Sequence, residues 1–233
     1  MAGTETELKF LLTCDAECIE REAIIAGRVV SRRLIQQRYL DPADWKLRAK
    51  TKKIPGGIAY KLCLRDSKRR RIAISIDQST WALLTREAEP APVRDGDLPG
   101  TERLKIDDLS AWTIRFRRTS ALSGTDIRCF ITLKRKRTVK TSIEIETRIS
   151  AADHDAAIVH CGPAIRKRRL ALRHREHLWE IDTFLNPELE GLELAEVELS
   201  SEDVSPAKPK WAGEDVTADK RFRNAALARK LAA

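Results

Sequence analysis

Glu5-Thr6-Glu7-Leu8-Lys9 sets two carboxylates and an ammonium at alternate positions. In a β-strand successive side chains point to opposite faces, so Glu5, Glu7 and Lys9 share one face and Thr6, Leu8 and Phe10 the other. The acidic pattern returns at Glu144-Ile145-Glu146 and at Glu196-Val197-Glu198. Basic residues use the same alternation on the strand at 111–118, where Thr113, Arg115 and Arg117 share a face. Such faces repel apolar packing and fit a polar, water-filled interior. Together they ask for a cation and a highly charged anion. A phosphate compound held with divalent metal suits the set. Guanidinium forks and ammonium groups neutralise phosphate oxygens, and Mg²⁺ joins such oxygens to a few carboxylates while keeping some water.

The elements that would position these residues are mostly strands. Alternation and turn residues predict strands at 4–13, 33–40, 45–50, 58–64, 71–76, 111–118, 127–135, 138–149, 165–174, 177–185 and 191–199. Helices are expected at 15–26, where Asp15 can cap and Gly27 can terminate, and at 77–87, 151–160 and about 217–231. Residues 89–100, rich in proline and glycine, read as a loop. Polar and apolar faces alternate throughout: Thr113, Arg115 and Arg117 oppose Trp112, Ile114 and Phe116, while Glu180 and Asp182 oppose Trp179 and Ile181. Many antiparallel-looking strands with few helices indicate a closed barrel or a two-sheet sandwich. The pattern alone leaves both open, because the charged face of a sandwich strand is also solvated.

Composition narrows the classes. At 233 residues, 42% hydrophobic and 34% charged, the chain is globular and unusually charged. It has no apolar run of the roughly 20 residues that a membrane-spanning helix needs, and no basic-then-apolar leader. Five cysteines without a Cys-x-x-Cys pair fit reduced thiols, and a cytoplasmic location is expected. The excess of 44 Lys and Arg over 35 Asp and Glu invites a nucleic-acid reading, against which the clustering of the acids argues. His174 and His177 are read as surface residues, since their spacing does not converge on a strand. No Gly-rich phosphate loop of the Walker type is present.

Glu5-x-Glu7-x-Lys9 resembles the ExExK motif of the CYTH superfamily, the triphosphate tunnel metalloenzymes. Further segments follow in the family's order. Gln36–Leu40 looks like its second strand, Ile114-Arg115-Phe116-Arg117 its arginine strand and Phe130–Lys134 its lysine strand. Ile143–Glu146 looks like its acidic strand, and Ile165–Arg169 is similar to a strand with alternating basic residues. Trp179–Phe184, Ala195–Leu199 and Trp211–Asn224 complete the set. The resemblance covers about 1–40 and 111–231. It implies an α+β fold: an eight-stranded antiparallel β-barrel, the triphosphate tunnel, with flanking helices. Residues 1–233 would then form one tunnel domain, with 41–110 as an insertion after the second strand. Leu47–Lys50 and Tyr60–Arg65 offer a rival match to the basic strands, but Arg71–Ile76 then lacks the acidic pair that should follow.

The resemblance implies triphosphate binding by Lys9, Arg115, Arg117, Lys134, Lys167 and Arg169, with Lys220 and Arg221 folding over a tunnel mouth. It implies metal binding by Glu5, Glu7, Glu196 and Glu198, with Asp182 as a further ligand, and Mg²⁺ or Mn²⁺ as the ion. Lys9, Tyr39, Glu144 and Glu146 are the catalytic candidates: Tyr39 paired with Lys9, and either glutamate positioning water. The expected activity is hydrolysis of inorganic triphosphate. Adenylate cyclase of class IV, thiamine triphosphatase and a non-catalytic polyphosphate binder are the alternatives. Expected partners are small triphosphates or polyphosphate, with room for a homodimer. The basic run Lys68–Arg71 is read as a turn that could bind polyphosphate or an acidic partner.

Overall fold

The computed structural model describes residues 3–232. Fourteen strands occur among them in chain order: β1 (Thr4–Leu12), β2 (Val29–Leu40), β3 (Trp45–Ile54), β4 (Gly57–Asp66), β5 (Arg71–Ile76), β6 (Glu89–Pro90), β7 (Arg103–Ile106), β8 (Trp112–Ser120), β9 (Arg128–Lys136), β10 (Thr141–Ile149), β11 (Ile165–His174), β12 (His177–Phe184), β13 (Glu193–Leu199) and β14 (Ala212–Asp215). The helices are α1 (Ala16–Ile25), α2 (Gln78–Glu87), α3 (Ala151–Ile158) and α4 (Asn224–Lys230), with 3₁₀ turns at Pro187–Leu189 and Lys220–Phe222. No helix among the described residues is long and apolar enough to cross a membrane.

Eight strands close into a ring in the order β10, β9, β8, β2, β11, β12, β13, β1, with β1 bonded back to β10 and every pairing antiparallel. Of the barrel and the sandwich, the chain therefore adopts the barrel, and closure removes the exposed edges a sandwich would carry. The joint between β1 and β10 is short. Only Thr4, Glu5 and Thr6 pair there, with Ile143, Ser142 and Thr141. Farther along, the same edge of β1 is taken by β14, while β13 pairs with the opposite edge.

The chain leaves the ring after β2 and re-enters at β8, the strand bonded beside β2. Between them β5, β4, β3, β7 and β6 form a second, five-stranded antiparallel sheet. The β3–β4 hairpin turns at Pro55-Gly56, where a fixed proline φ precedes a glycine at φ +84°, the sequence that a type II turn demands. The inner face of this sheet (Leu47, Leu62, Leu64, Ile72, Ile74) packs with Trp81 and Leu84 of α2 against the outward residues Ile114, Phe116, Ile131, Leu133 and Ile145 of the ring. Asp77 caps α2 by accepting the Thr80 amide at 2.7 Å, and Ser150 caps α3 by accepting the Asp153 amide at 3.0 Å. A second cluster lies outside the opposite wall. There Phe10, Leu172, Trp179, Ile181 and Val197 meet Ala16, Ile19 and Ala23 of α1. The usual small barrel is turned inside out: the apolar faces point outward under covers, and the charged faces point inward.

Four expectations are corrected. β6, β7 and β14 lie outside the expected strands, β6 at the start of the stretch read as a loop. Ala212-Gly213-Glu214-Asp215 has almost no strand preference; it pairs because β1 offers Phe10 and Leu12, and Gly213 lets the backbones approach, a Cβ there standing 3.0 Å from the Leu11 carbonyl. The helix expected at 217–231 is broken. Asp219 accepts the Arg221 amide at 2.9 Å, and Arg223 is extended, so regular helix begins only at Asn224. Phe116, fully buried where the ring meets the second sheet, gives a direct test of that packing. Phe116→Ala is expected to cost about 3–5 kcal/mol, read as a lower midpoint in urea.

Candidate active site

The inward side chains of the ring surround a cavity of about 720 Å³. Strand alternation brings Glu5, Glu7 and Lys9 of β1 into it, together with Arg115 and Arg117 of β8, Lys134 of β9, Glu144 and Glu146 of β10, Lys167 and Arg169 of β11, and Glu196 and Glu198 of β13. Gln37 and Tyr39 of β2 complete the wall. Glu180 on β12, Thr113 and Thr132, expected on polar strand faces but not assigned to the site, also line it, as do Lys136 and, at one end, Arg223 and Asn224, which the sequence reading missed. Glu180, Thr113 and Thr132 follow the inward alternation already visible in the strands. Lys136 lies two residues past Lys134, beyond the end of the segment read as strand.

The cavity has two charge-paired regions. In one, Arg117 Nη2 donates to both Glu146 oxygens at 2.7 and 2.8 Å. Arg115 Nη2 lies 3.2 Å from Glu146 Oε2, and Thr132 Oγ1 donates to the same oxygen at 2.7 Å. Against the effect of burial, Arg117 and Arg115 hold the Glu146 carboxyl below its ordinary range. In the other, Asp182 lies beneath the lining and bonds Lys167 and both Nε and Nη2 of Arg169, the latter two at 2.7 and 2.6 Å. Glu196 pairs with Lys9 Nζ at 2.7 Å and Arg169 Nη2 at 2.9 Å. Arg169 also bonds Glu180. Burial pulls Lys167 down to about 8, with Asp182 partly opposing. Lys9, Lys167 and Arg169 hold Glu196 well below its ordinary range although burial works against it.

Three expected roles change in consequence. Asp182 is 1% exposed and both its oxygens are occupied, so it is a counter-ion that orients Lys167 and Arg169, away from any metal in the cavity. Tyr39 does not pair with Lys9: its hydroxyl accepts from Gln37 Nε2 at 3.0 Å, while Lys9 donates to Glu196 and to the Phe222 carbonyl at 3.3 Å. Burial raises the Tyr39 phenol, so it is a proton donor and no base near neutral pH. Lys220 and Arg221 do not line the cavity. Arg221 is 84% exposed and bonds Asp219 at 2.7 Å; the following turn instead delivers Arg223 and Asn224.

The remaining carboxylates stand around Lys134. It bonds Glu5 and lies 3.6 Å from Glu7 and 3.3 Å from Glu144. These acids hold Lys134 above its ordinary range despite burial. Glu144 Oε2 is buried and makes no hydrogen bond, its ion-pair partner being Lys134 Nζ at 3.3 Å. Burial, with Glu5, Glu180, Glu144 and Glu7 adding repulsion, pushes Glu198 up to about 7. Among the described residues no three acidic, histidine or cysteine side chains form a ready-made metal cage. Lys134 occupies the middle of the acidic group, and mutual repulsion keeps the carboxylates apart. An all-oxygen set of separated carboxylates fits Mg²⁺ or Mn²⁺, ions that take few carboxylates and complete their shell with water and phosphate.

No family model matches the chain. Over 100 residues, 42% of this chain, it is 34% identical to an inorganic triphosphatase of Acetivibrio thermocellus, covering 64% of that protein. A 53-residue stretch, 22% of this chain, is 51% identical to an inorganic triphosphatase of Nitrosomonas europaea and covers 34% of it. The chain thus spans less than two thirds of the length of these curated relatives. Two solved structures, a Pyrococcus horikoshii protein and a putative adenylyl cyclase from Hippeastrum described as having a dominant triphosphatase activity, superpose with TM-scores of 0.41 and 0.40 at 12% identity. They cover 85% and 84% of this chain and 80% of each of theirs, a likeness too loose to carry an argument. The ring and its charged interior define a tunnel protein of the antiparallel α+β class. The two triphosphatase relatives bear out the resemblance to the CYTH superfamily drawn from the strand motifs.

Glu198 supplies a pH test of the acidic group. A carboxyl held above its unfolded value of 4.5 costs stability as pH rises from there toward 7, because the folded chain then keeps a proton the unfolded chain has lost. Glu198→Gln is therefore expected to raise stability at pH 8 by about 1 kcal/mol, a figure discounted for solvent screening. The Tm in EDTA should rise by about 2–4 °C. Near pH 4 the two proteins should melt together.

Proposed function

We propose that the protein is a divalent-metal-dependent hydrolase of triphosphate compounds that converts inorganic triphosphate to pyrophosphate and phosphate. The observation that carries this reading is the charge balance of the cavity. Eight basic side chains line it against seven carboxylates, before buried Asp182 is added. A simple anion pocket would be strongly positive. This one is close to neutral, so a triphosphate with several negative charges needs added cations, and the acids around Lys134 are placed to receive them. The relatives named inorganic triphosphatase support the same substrate class.

On this reading Lys9, Arg115, Arg117, Lys134, Lys167 and Arg169 hold the phosphate oxygens by charge-assisted bonds, and Glu146, Asp182 and Glu196 keep those cations aimed inward. Glu5, Glu7 and Glu198 would hold the metal, with Glu144 beside them; Glu196, expected as a further ligand, is taken up instead by Lys9 and Arg169. A bound divalent ion supplies charge neutralisation and lowers the pKa of its water. Attack by water oxygen on a terminal phosphorus forms one P–O bond and breaks the bond to the pyrophosphate oxygen. Glu144, whose Oε2 makes no hydrogen bond and only an ion pair with Lys134 at 3.3 Å, accepts the water proton. The phenol of Tyr39 donates to a phosphate oxygen. Positioning and charge neutralisation carry most of the acceleration.

We read the fold as one tunnel domain, 1–233, with 41–110 inserted between two neighbouring strands. Tyr39 is the one aromatic side chain in the cavity among the described residues, so no platform for a base favours the cyclase reading. The five free thiols support a reducing compartment such as the cytoplasm.

The test is phosphate release from inorganic triphosphate, ATP and thiamine triphosphate with Mg²⁺, Mn²⁺ or EDTA. Wild type should release phosphate fastest from inorganic triphosphate and only with metal. Glu5→Gln and Arg117→Gln should each lose about 10²-fold or more in kcat/KM. ATP turned into pyrophosphate without phosphate would replace hydrolysis by cyclisation. No turnover on any substrate would overturn the proposal.

A further inference from the structure

The outer face of the second sheet is a second concavity, of about 540 Å³, remote in the fold from the tunnel interior. Strand register arranges its basic side chains in two rows. Arg71 on β5, Arg65 on β4 and Lys46 on β3 stand directly opposite one another, as do Lys61 on β4, Lys50 on β3 and Arg103 on β7. Neighbours in a row are about 4.8 Å apart, so each row carries three cations across about 10 Å. Between the rows lie the small side chains of Ala73 and Cys63 on β5 and β4, and Arg48 on β3, which is paired with Asp107 at 2.5 Å.

This arrangement works against the fold. Like charges directly opposite each other on a sheet are destabilising, and this face holds four such contacts within the two rows. Lys50 and Arg103 are relieved by Asp97, at 3.8 and 2.5 Å. Among the described residues Lys46, Lys61, Arg65 and Arg71 form no ion pair, and all four are exposed. By contrast the opposite face of the same strands is buried and apolar. A cover for that core needs polar outward residues, but not four unpaired cations in register.

We infer that this face binds inorganic polyphosphate as a site separate from the tunnel. A phosphate chain laid across the strands meets Arg71, Arg65 and Lys46 in one row and Lys61 with Lys50 in the other, and its oxygens accept the forked donors of Arg65 and Arg71. Single-stranded nucleic acid is the other polyanion of this charge density, but it is held by aromatic platforms as well as by charge. The lining of this concavity has no aromatic side chain. Tyr60 and Trp81 instead stack on each other, centroids 5.6 Å apart, with Trp81 in the core. The site needs no metal, because it is basic rather than balanced.

The test is binding of end-labelled inorganic polyphosphate to the full chain in EDTA, followed by fluorescence polarisation over a salt series. Working without metal keeps the outcome independent of tunnel hydrolysis. Lys61→Gln/Arg65→Gln, and separately Lys46→Gln/Arg71→Gln, should each weaken binding at least about tenfold and flatten its salt dependence. Arg117→Gln in the tunnel should bind within about twofold of wild type, given that exposed charge contacts act locally. Both face variants should melt no lower than wild type and keep wild-type release of phosphate from inorganic triphosphate. Unchanged polyphosphate binding by both face variants would overturn the site. Loss of binding in Arg117→Gln would move the ligand into the tunnel, and tighter binding of single-stranded RNA than of polyphosphate would make nucleic acid the ligand.

Discussion

Everything in this structure depends on keeping a large set of charges inside a barrel with nearly all of them paired. Ions removed from water cost several kcal/mol each unless paired and hydrogen-bonded. The ring meets that cost by interleaving signs. Glu146 lies between Arg115 and Arg117, Asp182 between Lys167 and Arg169, and Glu196 between Lys9 and Arg169. Side-chain length matters as much as sign. Asp182 is short enough to stay beneath the lining while the longer cations it holds reach past it into the cavity. Such a network is over-determined, and it fixes the orientation of the cations before any ligand arrives.

A charged interior moves the fold's hydrophobic burial to the outside of the ring. Each wall then needs a cover, and the chain supplies a different one on each side. α1 lies over the wall that contains Trp179 and Phe10, α4 packs near Phe184 and Val216, and the five-stranded sheet lies over β8, β9 and β10. The segment between β2 and β8 is therefore part of the ring's core, since Phe116 and Ile114 would otherwise face water. Its own outer face is left free to carry a different chemistry.

Much of this was legible because period-two alternation is a strong signal when both faces are extreme. Glu5-Thr6-Glu7-Leu8-Lys9 and Ile143-Glu144-Ile145-Glu146 state which side chains point inward, and the cavity contains them. The alternation could not say whether charged faces look into a tunnel or out to solvent. Closure depends on β1 meeting β10 across more than 130 residues, which no local pattern records. Nor could it separate a carboxylate facing the cavity from one lying beneath it. Glu196 and Asp182 look alike in sequence, and their neighbours decide. β14 was invisible because Ala212 and Gly213 have no strand preference of their own. The tail was misread because Asp219, a polar helix residue by pattern, bonds the backbone and stops the turn.

The short joint between β1 and β10 gives the acidic group a mechanical meaning. Three register pairs, flanked by backbone bonds from Glu144 to Gly3 and from Glu7 to Lys140, fasten that joint. Glu5 comes from one side of it, Glu144 from the other, and Lys134 from the next strand bridges them. The side chains best placed to receive a cation are thus also the clasp of the barrel's least-zipped edge. Any ion or phosphate that rearranges them acts on the closure of the cylinder as well as on its contents. Occupancy of the tunnel and the integrity of its wall then form a single linked equilibrium.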